Sequence, residues 1–145
     1  MAFRICKRFT IECGHMLSKH KGDCRYPHGH SQTVEVVVAA DSLDENDMVC
    51  DFKALKEAVM EFLQAFDHAM CVNTDDPLYK TLKARYGKRV IGFRRQDPTA
   101  EVLAKTLFET VEARLGTGSD LPCNLRLVRL RVNETATNWA EYAKE

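Results

Sequence analysis

The chain has no apolar run near the roughly 20 residues needed to cross a bilayer, which excludes a spanning helix. Its first residues, "MAFRICKRFTIECGH", lack an apolar h-region and a small-residue cleavage site, so they read as a strand and not as a signal peptide; a cytoplasmic protein is the expectation. Net charge is also missing: 21 Lys+Arg balance 21 Asp+Glu. That gives no general attraction to nucleic acid or to an anionic membrane. Six cysteines are present in 145 residues, but no two form a CxxC pair. At this length no disulfide framework is needed, and Cys6, Cys50 and Cys123 are expected as small buried hydrophobes. Repeats, low-complexity tracts and linkers are absent, so residues 1–145 are expected to form one domain. Histidine is scarce, five in all, yet four of the five fall between residues 15 and 30.

The segments that are present alternate or repeat clearly. Phe3, Ile5, Phe9 and Ile11 occupy alternate positions of a half-buried strand over residues 3 to 11. The next segment, 14 to 30, breaks the pattern with glycine, proline and charge; a loop of that length in a compact domain is usually functional. Valine-rich residues 31 to 40 read as a second strand. A helix follows, capped by Asp51, with Phe52, Leu55, Val59, Phe62, Leu63 and Phe66 on one face. Residues 67 to 93 read as irregular chain ending in a short strand near Arg89 to Phe93. In "DPTAEVLAKTLFETVEARLG" the spacing predicts a second helix, with Asp97 as cap, Pro98 in the first turn and Gly116 past the end. Its apolar stripe is Ala100, Leu103, Ala104, Leu107, Phe108, Val111 and Leu115. Residues 124 to 133 alternate again, Val128, Leu130 and Val132 opposite Arg129, Arg131 and Asn133, and "TNWAEYA" adds a last strand. The order β-β-α-α-β-β predicts an α+β fold, an antiparallel sheet with two helices on one face.

The chemistry-bearing residues cluster. In "CRYPHGH", His28 and His30 share a face if the backbone is extended. Pairing of the first two strands would bring His15 to them. Three neutral imidazoles without an anionic ligand suit Zn²⁺ and leave a position open for water or substrate. His-x-His also occurs in ordinary turns, and His20 reads as an exposed loop residue. Cys24 has four readings: a further ligand, a nucleophile, a base with a pKa lowered by a nearby cation, or an inert loop thiol. Asp67 directly precedes His68 at the end of the first helix, a plausible acid/base pair, although a capping Asp beside a surface His looks the same. Glu101 and Glu134 stand at element ends. Each is either a solvated turn residue or a carboxylate able to accept two hydrogen bonds from a guanidine-like edge such as a pterin.

Taken in order, "GHML", "CRYPHGH", "MVCDF", "FDHAMCVN", "DPTAE" and "NET…AEY" resemble the 6-pyruvoyl-/6-carboxy-tetrahydropterin synthase family over nearly the whole length. The resemblance implies the T-fold (tunnelling fold), in which trimers, often stacked as dimers of trimers, close their sheets into a barrel with sites at subunit interfaces. It implies that His15, His28 and His30 ligate zinc, that Cys24, Asp67 and His68 form the catalytic triad, and that Glu134 anchors the pterin, with Thr99 and Glu101 near that pocket. The implied substrate is 7,8-dihydroneopterin triphosphate. The 6-carboxy branch, which releases acetaldehyde and triphosphate on the path to queuosine, fits the short loop and compact length better than the 6-pyruvoyl branch. Other T-fold pterin aldolases or epimerases, and a module with purely structural zinc, are the remaining readings. Lys19, Lys21, Arg25, Arg94 and Arg95 are candidate phosphate contacts. One departure stands out: "IECGH" places Glu12 and Cys13 where the family is small and apolar, and Glu12 is expected either to face the site or to lie in solvent.

Overall fold

The computed structural model describes residues 1–115 and 120–144. Its strands are β1 (Phe3–Met16), β2 (His28–Ala40), β3 (Ala69–Asn73), β4 (Val90–Phe93), β5 (Arg126–Asn133) and β6 (Trp139–Ala143). Its helices are α1 (Phe52–Phe66), α2 (Tyr79–Tyr86) and α3 (Ala100–Leu115). One six-stranded sheet runs in the order β4-β3-β1-β2-β5-β6. β1, β2, β5 and β6 pair antiparallel, whereas β3 and β4 join β1 in parallel. The α+β expectation holds, and the order gains β3 and α2. The sequence hides both for physical reasons. β3 is a short strand that starts three residues after α1 ends, too brief to show a period. α2 fully buries none of its residues, and only Tyr79 and Leu82 pack on the sheet, too short an apolar stripe to read.

Helix α1 forms as read: the Asp51 side chain accepts the Lys53 N–H at its start, and Leu55, Val59 and Leu63 are buried. Phe52, on its first residue, is exposed, and Ala58 joins the buried stripe instead. In α3, Leu103, Ala104, Leu107, Phe108 and Val111 are buried against the sheet. Its cap differs from the expectation. The Thr99 hydroxyl accepts the Val102 N–H and the Thr99 carbonyl accepts the Leu103 N–H, so Thr99 and not Asp97 closes the first turn. Asp97 bonds elsewhere, as shown below. Gly116 lies outside the described residues.

The core lies between α1 and α3 and one sheet face. Phe9 and Ile11 of β1 face it with Val34, Val36 and Val38 of β2 and Leu130 and Val132 of β5. Each fully buried side chain of this size contributes about 1.5–3 kcal/mol. Val128, expected on this face, is displaced from it. The β2–β5 register shifts between Val37 and Val38, so that Val37 faces Arg129 and Val38 faces Leu127. Val128 is the extra residue of the bulge, and Leu127 takes the buried place. The opposite face carries a small apolar cluster, Met16, Val72 and Val90 under Tyr79 and Leu82 of α2, at its β3–β4 end, and is polar over β1, β2, β5 and β6. There Glu35, with a side chain only 8% exposed, bonds Arg8 and Asn133, and Arg129 and Arg131 pair with Glu141. Cys6 and Cys123 are exposed, against expectation, and Cys50 is buried. Cys6 alternates with Ile5 and so falls on the open side of β1. No helix among the described residues is long and apolar enough to cross a membrane.

Candidate metal and catalytic site

β1 and β2 extend further than their apolar pattern shows, and this builds the site. In their register Cys13 faces His30, Gly14 faces Gly29 and His15 faces His28. Residues opposite one another share a face and side chains alternate. All three imidazoles therefore project from the helix side of the sheet at one end. Gly29 has a steric reason to separate the histidines: a Cβ there would lie 3.3 Å from the Cys13 carbonyl oxygen.

The ring centroids of His15, His28 and His30 are 4.5–5.2 Å apart. One ligating nitrogen from each lies within 4.8 Å of the others. Backbone carbonyls set the tautomers. His15 Nδ1–H donates to the Pro98 oxygen and His28 Nδ1–H to the Tyr26 oxygen, each at 2.7 Å. Both Nε2 atoms then carry lone pairs, as metal-ligating histidines with an outer-shell acceptor do. His15 Nε2 is buried and makes no hydrogen bond. Burial, opposed by the Pro98 bond and reinforced by the neighbouring imidazoles, holds the His15 pKa below the usual histidine value, so the neutral ring prevails near neutral pH.

Glu134, just past β5, completes the cluster. Its Oε1 lies 3.4 Å from Nε2 of both His15 and His30. A carboxylate oxygen facing an imidazole lone pair is repulsive unless a cation or a proton lies between them. An orphaned Nε2, two neighbouring imidazoles and an adjacent carboxylate fit a divalent cation with nitrogen preference. Gln32, buried on the same face two residues beyond His30, holds the other buried unbonded side-chain atom found among the described residues, its Oε1.

The Asp67–His68 pair is joined: His68 Nδ1 lies 2.9 Å from Asp67 Oδ2. Glu12 holds it through its backbone, the N–H donating to Asp67 Oδ1 at 2.8 Å and the carbonyl accepting the His68 N–H at 2.6 Å. Those bonds to Glu12 and His68 keep the Asp67 carboxyl below its ordinary pKa. The Glu12 side chain bonds Ser31 on the open face of the sheet, so this departure from the family pattern supports the pair through its main chain. His68 has φ +60°, a left-handed conformation that a non-glycine residue adopts at a cost. Arg89 donates to the Asp67 carbonyl at 3.1 Å. A cavity of about 500 Å³ is lined by His28, Gly29, His68, Met70, Tyr86 and Arg89, so one hollow touches both the imidazole cluster and the Asp–His pair.

The remaining expected site residues stand apart from the cluster. Cys24 is a half-buried residue in a 3-10 turn, Asp23–Arg25, and it is outside the set of converging ligand atoms. Thr99 uses its hydroxyl in the α3 cap. Glu101 is exposed on the first turn of α3. Of the candidate phosphate contacts, Arg95 pairs with Asp75 and Arg25 lies over the Tyr26 ring. Sequence reasoning missed the Pro98 carbonyl, the Glu12 backbone, Arg89 and Asp97. Main-chain contacts leave no signature in residue type, but a carboxylate before a proline was a visible signal that was read only as a cap.

The fold and the cluster together define the class: an α+β protein with α1 and α3 on one sheet face, the short α2 on the other, and a three-imidazole metal-ligand set at the sheet's end. The chain belongs to the 6-pyruvoyl tetrahydropterin synthase family, whose profile matches residues 4–145. It is 34% identical, over the full length of both chains, to the 6-carboxy-5,6,7,8-tetrahydropterin synthase of Aquifex aeolicus. Among solved structures it superposes with TM-score 0.82 on an uncharacterized protein of Wolinella succinogenes, at 21% identity, covering 100% of this chain and 99% of that one. It also superposes with TM-score 0.70 on the Caenorhabditis elegans 6-pyruvoyl tetrahydropterin synthase, at 19% identity, covering 100% and 97%. These similarities place the fold among the tetrahydropterin synthases, and the T-fold expectation holds.

Proposed function

We propose that the protein is a zinc-dependent carbon–carbon lyase that converts 7,8-dihydroneopterin triphosphate to 6-carboxy-5,6,7,8-tetrahydropterin, releasing acetaldehyde and triphosphate, on the route to queuosine. The observation that carries the reading is the orphaned, buried Nε2 of His15 facing His28, His30 and Glu134. The full-length relative at 34% identity bears the 6-carboxy name. The likeness to a 6-pyruvoyl-named structure is one of fold, at 19% identity.

His15, His28 and His30 would hold the zinc, with Pro98 and Tyr26 fixing two of the rings. Bound there, the ion supplies a Lewis acid that polarises hydroxyls of the substrate side chain. Cys24, outside the ligand set, is free to act as a proton-transfer thiol. His68 moves protons at the imidazole edge opposite Asp67, which orients the ring. Glu134 would anchor the pterin ring, with Thr99 and Glu101 near that pocket. The Glu134 carboxylate lies against the imidazoles, Oε1 3.4 Å from Nε2 of both His15 and His30. Glu101, exposed on the first turn of α3 and without an ion-pair partner among the described residues, offers a second carboxylate to that pocket. β4 and β6 are the outer strands of the sheet. Their pairing between copies, as in a trimer, would satisfy both open edges.

Product analysis tests the reading. The zinc-loaded protein, given 7,8-dihydroneopterin triphosphate, is expected to yield acetaldehyde and a carboxylated tetrahydropterin by mass spectrometry. Triphosphate release without acetaldehyde would assign the 6-pyruvoyl reaction instead. Replacement of Cys24 by alanine is expected to keep zinc and abolish turnover; loss of zinc would make Cys24 a ligand.

A further inference from the structure

We propose that Asp97 is a positioning residue that fixes the Cys24 loop relative to the imidazole cluster; its consequence for turnover rests on the function proposed above. Asp97 is 9% exposed, and its carboxylate accepts two hydrogen bonds from two different segments. One comes from the Lys19 backbone N–H at 2.8 Å. The other comes from the Asn73 side-chain amide at 2.9 Å. Lys19 lies in the loop between β1 and β2, where the Leu17 N–H donates to the Cys24 carbonyl at 3.0 Å. Asn73 ends β3, and its own Oδ1 accepts the Asp75 N–H at 2.8 Å, so its amide is engaged at both ends.

The neighbour of Asp97 in sequence makes the link to the cluster. The Pro98 carbonyl is the acceptor that holds His15 Nδ1–H. One dipeptide therefore ties the thiol loop to the end of β3 and also orients a metal-ligating ring. Helix capping does not explain Asp97, because Thr99 performs it. A carboxylate is the group that meets two donors at once without offering a donor of its own. Loss of either bond frees the loop that carries Cys24, while the imidazoles keep their strand positions.

The test is Asp97→Asn in the full chain. The asparagine has one acceptor oxygen, and its NH₂ meets either Lys19 N–H or the Asn73 amide, donor against donor. Hydrogen exchange at the Lys19 amide is expected to accelerate on the order of 10-fold, the scale of a buried donor left without its acceptor. Alkylation of Cys24, followed by peptide mapping, should accelerate with it. In the zinc-loaded protein kcat should fall about 10-fold, with KM within about threefold and metal content unchanged. The reciprocal swap, Asp97→Asn with Asn73→Asp, rebuilds every bond with one donor direction reversed. It is expected to return Lys19 exchange and kcat to within about twofold of the parent. Parental Lys19 exchange in Asp97→Asn would overturn the proposal, and so would a swap that fails to restore protection or does not fold. If the parent protein itself binds no zinc and turns over no pterin, the function fails on its own, and the exchange data and their rescue still decide the role of Asp97.

Discussion

Replacement of His68 by glycine should leave the protein at least as stable as the parent while removing the imidazole assigned to proton transfer. His68 follows the α1 C-cap and has φ +60°, a place where helices often end on glycine. Holding a residue with a Cβ in that conformation costs about 1 kcal/mol. Against this, the His68 side chain is 70% exposed and its contact with Asp67 is solvated, worth at most about 0.5 kcal/mol. The backbone bond from the His68 N–H to the Glu12 carbonyl survives any substitution but proline. Glycine therefore gains about 1 kcal/mol of strain relief and loses about half of it with the Asp67 contact. Alanine loses the contact and keeps the strain. The two variants should differ by about 1 kcal/mol, seen as a shift in urea midpoint at equal m-value and as about 3 °C in Tm for a chain of this size. Both should be inactive on the proposed substrate. An alanine variant as stable as the glycine variant would show that the main chain at residue 68 is unstrained, and the argument from backbone cost would fall.

Three further outcomes are expected. His28→Ala should lose most of the bound zinc by metal analysis; a fully metallated variant would break the three-imidazole assignment. Glu35 resists protonation in the fold because its burial, the largest single effect, is outweighed by the hydrogen bonds from Asn133 and Arg8 together with the charges of Arg8 and Arg129. Its folded pKa is thus depressed, the unfolded chain binds the proton first, and this part of the stability is present above about pH 4.3 and is lost as pH falls through the folded pKa. Glu35→Gln should flatten that acid limb of the stability curve, and an unchanged limb in urea melts at pH 3 to 6 would refute it. Phe108, 2% exposed among core residues, should cost about 3–5 kcal/mol when replaced by alanine, measured by urea denaturation; a loss under 1 kcal/mol would mean the core closes around the gap.

What the sequence showed and what it hid follow from one difference between side chains and main chain. Burial against a sheet imposes a period, so β1, β2, α1, α3 and β5 could be read, and the converging histidines could be read because pairing β1 with β2 aligns them. β3 and α2 lacked a period to detect, and the bulge at Val128 altered the parity of a strand whose alternation looked regular. At the site, the imidazoles and the Asp67–His68 pair are side-chain features and were legible. Their supports are largely carbonyls and amides: Pro98 for His15, Tyr26 for His28, Glu12 for Asp67 and His68. Asp97 falls between the two. Its residue type was visible, but a carboxylate before a proline serves equally as a cap or as a tie between distant segments, and only the positions of Lys19 and Asn73 separate the two uses. Glu12 makes the complementary case. Its side chain drew notice as a departure from the family pattern, yet the structure turns that side chain away and uses the two backbone atoms that any residue could supply. A substitution that keeps β1 extended at residue 12 should therefore preserve the Asp67–His68 geometry, whereas proline, which removes the N–H donated to Asp67, should not.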